Sequence, residues 1–156
     1  MARYSASFSG IAGVNTANTQ LLNLAGGTAE RLLIREIYVV CTTAPTTAPL
    51  FAVGRSTAAG TTSTTATTIQ NDPGSAAGIG VLGLTWSVAP TFTNTAANRA
   101  RVKQMTAAVG QEAYWPFYDV PLIIAATAGA GCVIWNTLAS GATLGAFAGH
   151  ITWDED

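Results

Sequence analysis

The sequence predicts an all-β fold, a sandwich or barrel of short strands, and three observations carry that prediction. Apolar and polar residues alternate with a period of two in several short runs, which suits half-buried strands. Turn signals built from Gly, Pro, Asn and Asp recur about every 8 to 15 residues. No regular succession of strand and helix is present, so a parallel sheet with covering helices is disfavoured.

Taken in order, residues 3–8 place Tyr4, Ala6 and Phe8 on one face of an extended segment. Residues 10–27 are rich in Asn, Thr, Ala and Gly, with their only cluster of large apolar anchors at 20–24. Residues 1–27 are therefore expected as an extended arm that gains order along another surface, with the sandwich domain at 28–156. The strongest strand signal lies at 33–41. There Ile34, Glu36, Tyr38 and Val40 alternate with Leu33, Arg35, Ile37, Val39 and Cys41, and β-branched residues are frequent. A second strand is expected at 50–55, beyond Pro45 and Pro49. Residues 56–68 carry nine hydroxyl side chains in thirteen positions, which fits an exposed loop or a polar strand.

Residues 71–74, Asn-Asp-Pro-Gly, form a turn signal, with Pro fixing φ and Gly supplying the permissive position. Residues 78–83 spell the Gly-x-Gly-x-x-Gly dinucleotide fingerprint. No strand leads into it, no helix follows, and no acid stands about 20 positions later, so a Gly-rich loop is the better reading. Short strands are expected at 85–88 and 91–93. Residues 98–109 fit two states: Val102, Met105 and Val109 at helical spacing, or a strand with Arg99, Arg101 and Lys103 on one face. Strands follow at 113–118, 122–125, 132–138 and 143–153. Eight or nine short strands in this pattern suggest a jelly-roll-like β-sandwich first and an immunoglobulin-like sandwich second.

Composition bounds the function. Charged residues are 10% of the chain, against about 25% in ordinary globular domains, whereas Ala and Thr number 29 and 23. Such depletion of charge reads as a chain that hides surface in neighbours, with a neutral, Thr-coated monomer as the alternative. A net charge of −1 gives no global field for nucleic acid, so direct nucleic-acid binding is not expected. Residues 120–149 contain no acid or base, but Pro121 and five glycines divide the apolar runs into pieces below the roughly 20 residues that span a bilayer. No membrane partner is expected, and the N-terminus lacks the apolar segment of a secretory signal. Cys41 and Cys132 read as buried small hydrophobes. A disulfide between them would need adjacent strands and an oxidising compartment.

Enzyme chemistry lacks an inventory. His150 is the only histidine, so a multi-histidine metal site within one chain is impossible, and neither metal nor cofactor is expected. In an extended segment His150 shares a face with Leu144, Ala146 and Ala148, as suits a core or interface histidine. Asp154, Glu155 and Asp156 read as a solvated acidic end, or alternatively as acids that meet basic side chains at a subunit or shell contact. Arg99, Arg101 and Lys103 read as a solvated face or as ion pairs to Glu112 and Asp119, and alternatively as a dock for an acidic protein surface. The aromatic run at 114–118 and the four tryptophans are core or contact anchors.

One ordered set of features carries a resemblance: Arg35-Glu-Ile37, then Arg55-Ser-Thr-Ala-Ala-Gly-Thr61, Asp72-Pro73, Ala89-Pro-Thr-Phe-Thr93, the aromatic strand at 114–118, and Trp153-Asp-Glu155. Over about residues 31–155 the chain resembles small virion proteins of tailed bacteriophages, similar to capsid decoration or cement proteins. The resemblance implies a jelly-roll-like subunit, usually trimeric, on the capsid exterior after assembly in the host cytoplasm. Its partners would be the major capsid protein and its own copies. Interface residues are expected among Arg3, Tyr4, Phe8, Arg55, Arg99, Arg101, Lys103, His150 and Trp153. The alternative is a trimeric tail or fibre module that recognises a host receptor.

Overall fold

The computed structural model describes residues 1–14, 16–138 and 144–156. Its strands, in chain order, are β1 (Ala2–Ala12), β2 (Thr19–Ala25), β3 (Leu32–Thr43), β4 (Leu50–Ala58), β5 (Thr61–Thr65), β6 (Thr68–Gln70) and β7 (Val81–Val88). They continue with β8 (Thr91–Phe92), β9 (Arg101–Gln104), β10 (Glu112–Pro116), β11 (Leu122–Ile124), β12 (Gly131–Asn136) and β13 (Ala146–Glu155). Among the described residues the protein is all-β, 57% strand, in two antiparallel sheets. The first sheet runs β10–β3–β13–β1–β6, with β11 also paired to β3. The second runs β5–β7–β2–β12–β4–β8, with β9 also paired to β4.

The expected strands are largely present, and the polar segment at 56–68 is resolved in favour of strand. Thr61–Thr65 forms an edge with all five residues exposed. At 98–109 the strand alternative holds over Arg101–Gln104, after a short 3-10 turn at Ala96–Asn98. The Asp72-Pro73 turn closes as expected, with Ser75 N–H donating to Asp72 O at 3.0 Å and Gly74 N–H to Asp72 Oδ1 at 3.0 Å. The expected strand start at Thr143 lies outside the described residues.

The expected arm at 1–27 is corrected. β1 pairs with β13 along most of its length and with β6 at Tyr4, Ser5 and Ala6, while β2 lies between β12 and β7. Tyr4, Ala6, Phe8, Leu21, Leu22 and Leu24 are all in the main core. The physical reason is that this segment's few large side chains fall on the inner faces of both sheets, so it orders against its own chain.

The sheets meet through ring contacts such as Phe51 on Phe147, edge to face at 5.1 Å. Tyr4 stacks on Trp153 at 6.1 Å within the first sheet. β12 is buried along its whole length because the second sheet is covered on its far face as well. There Ala52, Val133 and Trp135 pack with Phe92, and Trp135 Nε1 donates to Asn94 Oδ1 at 2.8 Å. Gly54 is required at this cover, since a Cβ would sit 2.1 Å from the carbonyl oxygen of Asn98. Cys41 and Cys132 are free and buried, on β3 and β12, and burial pushes the Cys132 thiol up to about 12.

Candidate interaction surface

The nine residues expected at an interface divide into three groups. Tyr4, Phe8 and Trp153 are corrected to core: they are 2%, 5% and 0% exposed and hold the sheets together. Arg3 and His150 belong to charge clusters of the first sheet. Arg55, Arg99, Arg101 and Lys103 gather at the β4–β9 side of the second.

The first cluster is built by the β1–β13–β3 register, which sets Arg3 beside Asp154 and Asp154 beside Leu33. Arg3 Nε donates to Asp154 Oδ1 at 2.7 Å, and Arg35 Nε to Asp154 Oδ2 at 2.6 Å. Burial works to raise the Asp154 carboxyl, and the hydrogen bonds from Arg3 and Arg35 outweigh it, holding the group below its ordinary range. Arg31 pairs with Asp156. Glu155 is 4% exposed, and its Oε1 accepts from Ile79 N–H, Gly80 N–H and Trp153 Nε1 at 2.9, 2.9 and 3.0 Å. The solvated acidic end is therefore corrected: two of its three acids are buried and paired. The expected Gly-rich loop at 78–83 is corrected in its second half, since Val81–Gly83 open β7 against β2, while Ile79 and Gly80 present backbone donors to a carboxylate of their own chain. Gly80 permits this, because a Cβ there would stand 2.8 Å from Trp153 Nε1.

The second cluster lies on the outer face of the first sheet, where Tyr114, Tyr38 and His150 are cross-strand neighbours on β10, β3 and β13. Glu36 is its hub. Tyr118 OH donates to Glu36 Oε2, Tyr114 OH reaches the same oxygen at 3.2 Å, and Thr152 Oγ1 reaches Oε1 at 3.2 Å. His150 Nε2 lies 3.2 Å from Oε1, its ring stacked on Tyr38 at 5.5 Å. The Tyr118 hydrogen bond, with those of Thr152, Tyr114 and His150, holds the Glu36 carboxyl below its ordinary range against the opposing effect of burial.

A depressed folded value means that Glu36 lends stability above the ordinary carboxylate range, and that this is lost as pH falls through the folded value. Asp154 has the same sign. Glu36→Gln is accordingly expected to flatten the acid limb of a Tm-versus-pH profile measured from about pH 7 to about pH 3. An unchanged acid limb would mean that the cluster contributes nothing to acid stability.

The third cluster lines the open side of the sandwich between β9 of one sheet and β10–β11 of the other. Val53 opposes Arg101 and Phe51 opposes Lys103, so these two cations share the face that Phe51 and Val53 turn toward the core. Arg55 continues the same alternation, and its Nε donates to Ile123 O at 2.9 Å. The Arg101 guanidinium lies 5.2 Å from the centre of the Phe117 ring. Two adjoining cavities of about 380 and 250 Å³ share Arg101, Phe117 and Val120 as walls. The expected ion pairs to Glu112 and Asp119 do not form among the described residues. Asp119 lines the larger of the two cavities, whereas Glu112 is engaged by Tyr38.

Among the described residues no three His, Cys, Asp or Glu side chains gather where one metal ion would fit. Sequence reasoning singled out Arg99, Arg101 and Lys103 but missed Glu36, Tyr114 and Tyr118 as a unit. The available signal was the alternation itself, which puts Glu36 and Tyr38 on one face of β3. Comparison with family models, curated proteins and solved structures finds no match to this chain.

Proposed function

We propose that the chain is a jelly-roll virion protein that binds and stabilises a tailed-phage capsid shell from outside, as a homotrimer contacting the major capsid protein. The observation that carries this reading is the strand order. β1–β13–β3–β10 faces β2–β12–β4 with β8 and β9 beside β4, so early and late strands alternate in each sheet, as in a double Greek key. Jelly rolls of this kind recur in capsid domains. Support also comes from the charge-poor composition and the resemblance over residues 31–155. A trimer seated across shell subunits engages several sites at once, and multivalency then resists their separation without any chemical step.

The test is co-sedimentation with shells that lack decoration. The protein should pellet to saturation, and light scattering should give three times the 15.9 kDa chain mass. Protein that stays in the supernatant, or a stable monomer, would overturn the reading.

The second reading, a tail or fibre module that recognises a receptor, is favoured by one observation. Tyr114 and Tyr118, 45% and 54% exposed, flank Glu36 on an open sheet face, where aromatic rings and a carboxylate suit a sugar. Binding of purified protein to host cells, lost in Tyr114→Ala, would select it.

A further inference from the structure

We propose that the open side of the sandwich between β9 and β10–β11 is the docking surface of the protein, and that it takes a carboxylate-bearing protein surface. The chain has seven cations, and they divide cleanly. Arg3, Arg31 and Arg35 are matched by Asp154 and Asp156. Arg55, Arg99, Arg101 and Lys103 form no ion pair among the described residues, and all four belong to β4, β9 or the turn leading into β9. In a chain with so few charges, an unmatched group of four at one edge is the main electrostatic feature of the surface.

Two of the guanidiniums are already oriented. Arg55 Nε is fixed on Ile123 O, and Arg101 is held over Phe117 with one nitrogen donating to Ala100 O at 2.8 Å. Each guanidinium has five N–H donors, so most remain for a carboxylate. Arg99 Nε is buried without an acceptor among the described residues, a donor whose desolvation the chain does not offset.

The class of partner follows from what lies between the cations. Val120, 75% exposed, walls both cavities beside Arg101, and Pro121 and Leu122 join it between Arg55 and Arg101 in the smaller one. Aliphatic side chains beside arginines match a protein surface of acidic and apolar residues, whereas a phosphate backbone would leave them unmatched. On the proposed function, which this inference deepens, the acidic partner is the shell protein.

Lys103 is the only lysine, which permits a site-specific test. Carbodiimide treatment of protein bound to shells should join Lys103 to an Asp or Glu of the shell protein, and Lys103→Arg should abolish that link while binding persists. The double variant Arg55→Glu, Arg101→Glu should bind shells at least about 30-fold more weakly, the loss expected for central arginines, with an unchanged circular dichroism spectrum. If this variant binds as wild type, the surface is wrong and the shell-binding reading stands. If wild type does not bind shells, that reading falls, and the surface is judged on immobilised poly-glutamate and on double-stranded DNA. Retention on poly-glutamate that the double variant loses supports it, while no retention, or stronger retention on DNA, overturns it.

Discussion

Deletion of residues 1–12 is expected to abolish cooperative folding. β1 carries Tyr4, Ala6 and Phe8 into the core and stands between β13 and β6, so its loss removes two buried aromatics and uncovers one side of β13. Removing a buried aromatic side chain costs about 3 to 5 kcal/mol, and two such losses approach the whole stability of a typical domain, about 5 to 15 kcal/mol. Urea titration followed by circular dichroism should show no sigmoidal transition for the truncated chain. A truncated chain that unfolds like the full one would restore the view of this segment as a detachable arm.

Trp153→Ala is expected to be the most damaging point substitution, at about 4 kcal/mol. The indole is fully buried, stacks on Tyr4, lies against the backbone of Gly80 and donates to Glu155. Its removal leaves a cavity and deprives a buried carboxylate of one of its donors. For a chain of this size the loss corresponds to a Tm lower by about 8 to 16 °C. Trp153→Phe should recover part of it by refilling the space without restoring the hydrogen bond. A fall of less than about 2 °C in Trp153→Ala would show that the Tyr4–Gly80–Glu155 surroundings collapse onto the gap at little cost.

Much of the fold was legible because local signals agreed with the final state. The β-branched run at 33–41 became β3, the Asp-Pro-Gly turn formed, and Cys132 to Asn136 is strand. Strict alternation failed at Ile34. A register irregularity passes from Thr152 opposite Glu36 to Trp153 opposite Ile34, so Leu32 and Ile34 are buried on one side of it and Ile37, Val39 and Cys41 on the other. A period-two reading cannot locate such a bulge, because the extra residue is specified by the partner strand.

The same holds for the acidic end. Nothing local marks Glu155 as buried; its backbone donors come from residues 79 and 80, and only the closed fold brings them within reach. The basic edge was half legible, since spacing placed Arg101 and Lys103 together, while Arg55 joined them through strand pairing that spacing does not encode. The Glu36 cluster was hidden for a related reason, as its members come from β3, β10, β13 and the segment after β10.

The position of the last two strands bears on how the molecule comes into being. β12 is interior to the second sheet, between β2 and β4, and β13 is interior to the first, between β1 and β3. During synthesis β1 to β4 therefore emerge with their eventual neighbours missing, and each exposes unpaired edges until residues 131–155 are made. Closing such long loops is slow, so both sheets are completed only once residues 131–155, about a sixth of the chain, have been made. In that interval the low charge offers little repulsion between nascent copies.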